Sequence, residues 1–279
     1  MSFLLGILGK NPVRITYSKI EQEKKFYQIR EECPDGWGVG FYQDGVAYIV
    51  KRTVSFYDDR RIDKIMDKVK SRAVMTHFRS ATIGEVKENN THPFRYGVWI
   101  FAHSGTIANF RKIKALIFHR IPLSFKEKIS GNTDSEYCFY LFLSCLKGKG
   151  YLKKGDISFN KAVDALKLTS LTLNNWQKEI NPENISTYNF LITNGKYMLV
   201  TRRGSTLFYL RKRWNEDCNS FNVANLKVKI EEDIGDFVIV SSRKISEDKE
   251  WIEIQENQLL AVDENVNITL QIQIYFVYY

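Results

Sequence analysis

Two helical stretches lie in the middle of this chain with strand-like sequence on either side, and that order leaves few architectures open. Thr133 and Glu136 have the spacing of a capping box and lead into the apolar run Tyr137 to Leu146, so a helix begins there. A second, longer helix is expected within Phe159 to Ile180, with Phe159, Val163, Leu166, Leu173, Trp176 and Ile180 as its inward stripe. Before them, Ser2 to Leu8 reads as a short buried strand ending at Gly9, and Val39 to Tyr42 with Val46 to Val50 forms a hairpin around Asp44-Gly45. In Asp58 to Lys70, Ile62, Ile65, Met66 and Val69 recur at helical spacing. Strands at Ala73 to Phe78 and Val98 to His103 would place Arg79 and Ser104 just beyond strand ends, where a scaffold presents side chains to a pocket.

Beyond Ile180 the texture changes. Ser186 to Thr193, Lys196 to Arg202, Ser205 to Leu210, Phe237 to Ser241 and Gln258 to Val262 read as strands, and Ile268, Leu270, Ile272, Ile274 and Phe276 alternate as in a one-sided strand. Strands, then helices, then strands fit an α+β domain of two antiparallel sheets with helices packed on their outer faces. No proline- or serine-rich linker and no repeat divides the chain, so a single domain over residues 2–275 is expected.

Composition narrows the partners. A net charge of +9 invites a nucleic-acid reading. The charges from Asp58 to Arg72 alternate in sign, however, and Lys147 to Lys154 is the only compact basic loop, so no nucleic-acid partner is expected. Phe3-Leu4-Leu5 lacks a basic lead and is followed by Gly6 and Gly9, unlike an export signal, and no later run approaches a membrane span. Cys33, Cys138, Cys145 and Cys218 form no CxxC pair, which suits free thiols in a cytoplasmic protein. No Gly-x-Gly-x-x-Gly or Walker-type loop points to a nucleotide cofactor. His77, His92 and His103 cluster in sequence and raise a metal site as an alternative, but their spacing matches no compact zinc motif, so neither metal nor cofactor is expected.

Five segments belong together: Met1-Ser2-Phe3-Leu4-Leu5-Gly6, Asp35-Gly36-Trp37-Gly38, Arg79-Ser80-Ala81-Thr82-Ile83-Gly84, Ala102-His103-Ser104-Gly105-Thr106 and Thr133-Asp134-Ser135-Glu136. In this order the set resembles the class II glutamine amidotransferases, N-terminal-nucleophile hydrolases whose catalytic cysteine directly follows the initiator methionine. The resemblance implies a four-layer αββα sandwich. It also implies that Ser2 stands where the family has its nucleophile, with its α-amine as base once Met1 is removed, and that Ser104 and Gly105 occupy the oxyanion hole. The family has an asparagine at the first of these two positions, so the backbone donor is kept and the side-chain donor altered.

For recognition, the resemblance implies that Arg79 binds the α-carboxylate of glutamine, that Thr82 lies beside it and that Asp134 holds the α-ammonium group. Taken singly, Arg79 would be a surface ion-pair partner and Asp134 a first-turn carboxylate favoured by the helix dipole. Trp37 reads as a core anchor, and His92, in the stretch Asn90-Thr91-His92-Pro93-Phe94 that resembles a loop motif of the stand-alone members, as a satisfied structural histidine, with orientation of the pocket as the alternative. With no synthetase domain in the chain, any ammonia must be released or passed to a partner subunit. Two readings stand: an amidohydrolase acting on the γ-amide of glutamine or a related γ-glutamyl compound, and a catalytically silent γ-glutamyl-binding protein on the same fold.

Overall fold

The computed structural model describes residues 2–16, 35–55, 59, 61–66, 68–148, 157–213, 221–223, 226–229, 235–246 and 248–271. Along them run β1 (Phe3–Thr16), β2 (Trp37–Gln43), β3 (Val46–Arg52), α1 (Arg61–Met66), β4 (Lys70–Phe78), β5 (Phe94–Tyr96), β6 (Trp99–Thr106), α2 (Phe110–Arg120), α3 (Leu123–Lys126), α4 (Asp134–Gly148) and α5 (Phe159–Ile180). Then follow β7 (Thr187–Thr193), β8 (Met198–Thr201), β9 (Phe208–Arg213), β10 (Phe221–Val223), β11 (Leu226–Lys229), β12 (Asp236–Ser241), β13 (Ile252–Glu253), β14 (Leu259–Val262) and β15 (Ile268–Gln271). The strands form two antiparallel sheets. One has the order β13-β9-β12-β1-β4-β2-β3, with β11 added on β1 and β10 on β11, and the other has the order β15-β14-β8-β7-β6-β5.

Alternation along the strands builds three layers of core. Leu4 and Leu8 of β1 and Ala73 and Met75 of β4 meet Ile100, Ala102, Leu191, Val200 and Leu260 between the sheets. On the other face of the second sheet Trp99, Phe101, Phe190 and Ile192 pack against Phe139 and Phe142 of α4 and Val163 and Leu166 of α5. The outward face of the first sheet carries Phe3, Leu5, Ile7, Trp37, Val39 and Ile239, covered by Ile65 of α1 and by Ile245 and Trp251. The α+β sandwich is therefore present, with its helices unequally shared: α2 to α5 belong to the second sheet, and among the described residues only the six-residue α1 packs on the first.

Several elements differ from the sequence reading, each for a local reason. The helix expected over 58–70 is described only as α1, because Lys70 onward is drawn into β4 and pairs with β1 at Arg14. There the Ser71 hydroxyl accepts the Tyr42 N–H at 3.0 Å and donates to the Ala73 carbonyl at 2.8 Å. β1 does not end at Gly9 but reaches Thr16, its register shifting between Leu8 and Val13, an irregular stretch where Pro12 is tolerated. β6 runs to Thr106, so Ser104 lies within a strand, opposite Asn189 of β7, and not beyond its end. The hairpin forms as expected, with Asp44 at φ 51° and Gly45 at φ 76°, as a type I′ turn requires. α5 matches its expected span, and β15 is described to Gln271, so the rest of that expected strand lies outside the described residues. Among the described residues no helix is long and apolar enough to cross a membrane.

Candidate active site

Ser2 sits directly ahead of β1, the strand between β12 and β4. Its Oγ accepts the Ser80 N–H at 3.0 Å and lies 3.3 Å from the Ser80 carbonyl, to which it can donate. Its own carbonyl accepts the Ser104 hydroxyl at 3.2 Å. Three segments that are far apart in sequence thus meet at one half-buried residue. Ser80 was legible only as part of the Arg79-Ser80-Ala81-Thr82 segment; its backbone is what fixes the Ser2 hydroxyl.

Arg79 follows β4 and is 3% exposed. Its Nη1 donates to the Glu85 carbonyl at 3.1 Å and its Nη2 to those of Ile83 and Gly84 at 3.2 and 3.3 Å. A guanidinium has five N–H donors, so among the described residues these bonds leave Nε–H and one Nη1–H unengaged. Burial lowers the Arg79 pKa, opposed by the nearby carboxylates of Asp35 and Asp134. Asp35 also accepts the Ala81 N–H at 2.7 Å, and the Arg79 N–H donates to Gly36 at 2.8 Å. The Asp35-Gly36 segment therefore splints the loop that follows Arg79. Thr82 is exposed at the rim, where its hydroxyl receives that of Thr106 at 3.1 Å.

Gly105, next to Ser104 in β6, has φ 145°, and a Cβ there would lie 2.2 Å from the Thr187 carbonyl. Only glycine fits that approach. Gly38 has the same role beneath the site, where a Cβ would come within 2.0 Å of the His92 carbonyl. Asp134 opens α4 and is 3% exposed. One carboxylate oxygen accepts the Ile107 N–H at 2.8 Å and the other the Ser135 N–H at 2.9 Å, with the Ser135 hydroxyl at 3.3 Å. The Thr133 hydroxyl accepts the Glu136 N–H at 3.3 Å, but the Glu136 carboxylate turns to the N–H groups of Ser130 and Gly131, so half of the expected capping box forms.

Behind Ser104 lie His103, His77 and His92. His77 Nε2 donates to the His103 carbonyl at 3.1 Å, and the His77 and His92 rings are 4.1 Å apart. Burial pushes the His77 pKa down to about 3, helped by the proximity of His103 and Arg79, and holds His92 well below its usual value. Burial also lowers His103, partly opposed by the Asp134 carboxylate. Among the described residues neither ring nitrogen of His92 has a hydrogen-bond partner, in contrast to the expectation of a satisfied structural histidine. Among the described residues no group of three His, Cys, Asp or Glu side chains is placed to hold a metal ion.

Comparison with known proteins bears on the family and the fold. A family model described as glutamine amidotransferases class-II matches residues 1–273. The Saccharomyces cerevisiae protein named "Probable glutamine amidotransferase DUG3" is 27% identical over 290 residues, covering 91% of this chain and 79% of that protein. The gamma-glutamyl-hercynylcysteine sulfoxide hydrolase of Mycolicibacterium smegmatis is 25% identical over 238 residues, covering 84% of this chain and 81% of that protein. A crystal structure of a predicted glutamine amidotransferase from Pseudomonas aeruginosa superimposes with a TM-score of 0.63 at 18% identity, covering 95% of this chain and 98% of that one, a likeness of fold.

Proposed function

The chain belongs to the class II glutamine amidotransferases, and we propose that it is a γ-glutamyl amidohydrolase that uses Ser2 as an N-terminal nucleophile. The observation that carries this reading is the meeting of Ser2 with the Ser80 backbone and the Ser104 hydroxyl at the head of β1. Arg79, with Thr82 beside it, would take the ligand's α-carboxylate, and Asp134 its α-ammonium group, as planar donors and a buried carboxylate suit those charges. A relative named for hydrolysing a γ-glutamyl compound supports the substrate class.

In this reading the Ser2 hydroxyl attacks the γ-carbonyl carbon while its proton passes to the α-amine of Ser2, whose reference pKa is about 7.7 to 8.0. The oxyanion that forms is met by the Gly105 N–H and by the Ser104 hydroxyl turning from the Ser2 carbonyl. Collapse breaks the C–N bond, the proton held on the amine leaves with ammonia, and water hydrolyses the ester on Ser2 to give the γ-carboxylate. The ammonia is released or passed to a partner subunit. The α-amine is free for this only after Met1 is removed.

Ser2→Cys tests the proposal. A thiol is partly ionised at neutral pH and strongly nucleophilic, whereas a hydroxyl must lose its proton during attack. With loss of Met1 confirmed by intact mass, ammonia release from glutamine and small γ-glutamyl amides should be slow for the parent and faster for the cysteine variant. Binding of these ligands with no turnover in either form would support the silent binding protein instead.

A further inference from the structure

Asp134 does not face the buried histidines directly, because Ser135 stands between them. The Ser135 hydroxyl is 2.9 Å from His103 Nδ1 and 3.3 Å from an Asp134 carboxylate oxygen, and Asp134, Ser135 and His103 are 3%, 4% and 2% exposed. The other ring nitrogen of His103 lies 3.4 Å from the Thr187 carbonyl, a longer contact. A neutral imidazole has one N–H. The Ser135 hydroxyl has one proton, which goes to the Asp134 carboxylate, so its oxygen accepts the N–H of His103 Nδ1, the shorter of the two ring contacts.

We propose that Ser135 is a positioning residue for ligand recognition: by occupying His103, it keeps the Asp134 carboxylate available to the ligand's α-ammonium group. This rests on the assignment of Asp134 made above. Without the hydroxyl, His103 Nδ1 would be a buried polar atom with no partner, a costly condition. Asp134, whose carboxylate already acts electrostatically on the His103 ring and shares the Ser135 contact, is an acceptor in the same cluster that would take that N–H directly. The carboxylate would then serve the histidine and be lost to the ligand. Removing the imidazole as well would abolish the competition, since replacing both members of a buried polar pair costs far less than orphaning one. A phenylalanine at position 103 has an aromatic neighbour to pack on, since the His103 ring already lies 5.0 Å from that of Phe190.

The test compares calorimetric affinities for glutamine and for glutaramate, which lacks only the α-amino group; their ratio reports on the ammonium contact alone. Ser135→Ala should reduce the ratio by roughly tenfold, about the loss of one charge-assisted contact. Ser135→Thr should keep it, and the double variant Ser135→Ala with His103→Phe should regain most of it, a recovery that a merely structural serine would not show. If Ser135→Ala does not fold, Ser135→Cys takes its place, with a weaker donor and acceptor of similar size. An unchanged ratio in the folded single variant, or no recovery in the double variant, overturns the positioning role. A parent that binds both ligands equally, or neither, overturns the Asp134 assignment and this inference with it.

Discussion

The two halves of the site are built differently. On the side proposed for recognition, Arg79 is held by three loop carbonyls and Asp134 by two backbone N–H groups, and both side chains are almost wholly buried. On the side proposed for bond breaking, Ser2 is half-buried, and Ser104 reaches it through a single hydroxyl contact of 3.2 Å. Backbone donors and acceptors do not change rotamer, so Arg79 and Asp134 are held firmly before any ligand arrives, whereas Ser2 has the Ser80 backbone as its anchor and Ser104 reaches it through a hydroxyl that can turn. Recognition can therefore persist in such a site while catalytic power varies.

The largest effect should come from the firmly held half. Asp134→Asn, which keeps the shape and removes the charge, and Arg79→Ala should each weaken glutamine binding by well over tenfold, since losing one partner of a buried charged contact costs about 2 to 5 kcal/mol. Calorimetry on variants with unchanged circular dichroism measures this; two variants that bind like the parent would erase the contrast between the halves.

Next in size, Ser104→Asn should sharpen it. A carboxamide reaches farther than a hydroxyl, and one oxyanion donor is worth about 10²- to 10³-fold in turnover. Ammonia release should rise in that variant with little change in ligand affinity. A change in affinity without a gain in rate would mean that Ser104 belongs to recognition.

The smallest effect concerns the histidines behind the two halves. Their pKa values are depressed in the folded state, His77 to about 3. The unfolded chain therefore binds more protons below its histidine pKa of about 6.5, and stability present above that pH is lost as the pH falls toward the folded values. Each such group adds a slope of about 1.4 kcal/mol per pH unit across this window. His92→Phe removes two ring nitrogens that have no partner among the described residues, so it should raise stability at neutral pH by about 1 kcal/mol and flatten the acid limb of a denaturation series. A destabilised variant would show that His92 has a partner that the folded chain alone does not supply.

Local signals in the sequence were read well where the structure is local. α5 spans the predicted Phe159–Ile180, and Val163, Leu166 and Leu173 of its stripe are buried, because a helical face depends on neighbours three and four residues away. Arg79 falls just after β4 because that strand's apolar run ends at Phe78. The reach of β6 was not legible, since its last residues are held by pairing with Thr187 to Asn189, about eighty positions later. Ser135 and His103 were hidden for the same reason: they lie 32 positions apart, and nothing in either segment announces the other. Ser2, Ser104 and Asp134 entered through resemblance, and only the folded chain shows that the first two touch.

The clamping of β1 has a practical consequence. A polypeptide terminus ordinarily frays, but here Phe3 pairs with Phe78, the Leu4 N–H donates to the Ser242 hydroxyl at 3.1 Å, and the Leu4 carbonyl accepts the Ser242 N–H at 3.0 Å. A purification tag fused ahead of Ser2 would start from this held point and emerge beside Ser80 and Ser104, obstructing the space it was meant to leave clear. Ligand uptake before and after proteolytic trimming of such a tag would serve as a gauge of how closely that space surrounds the serine.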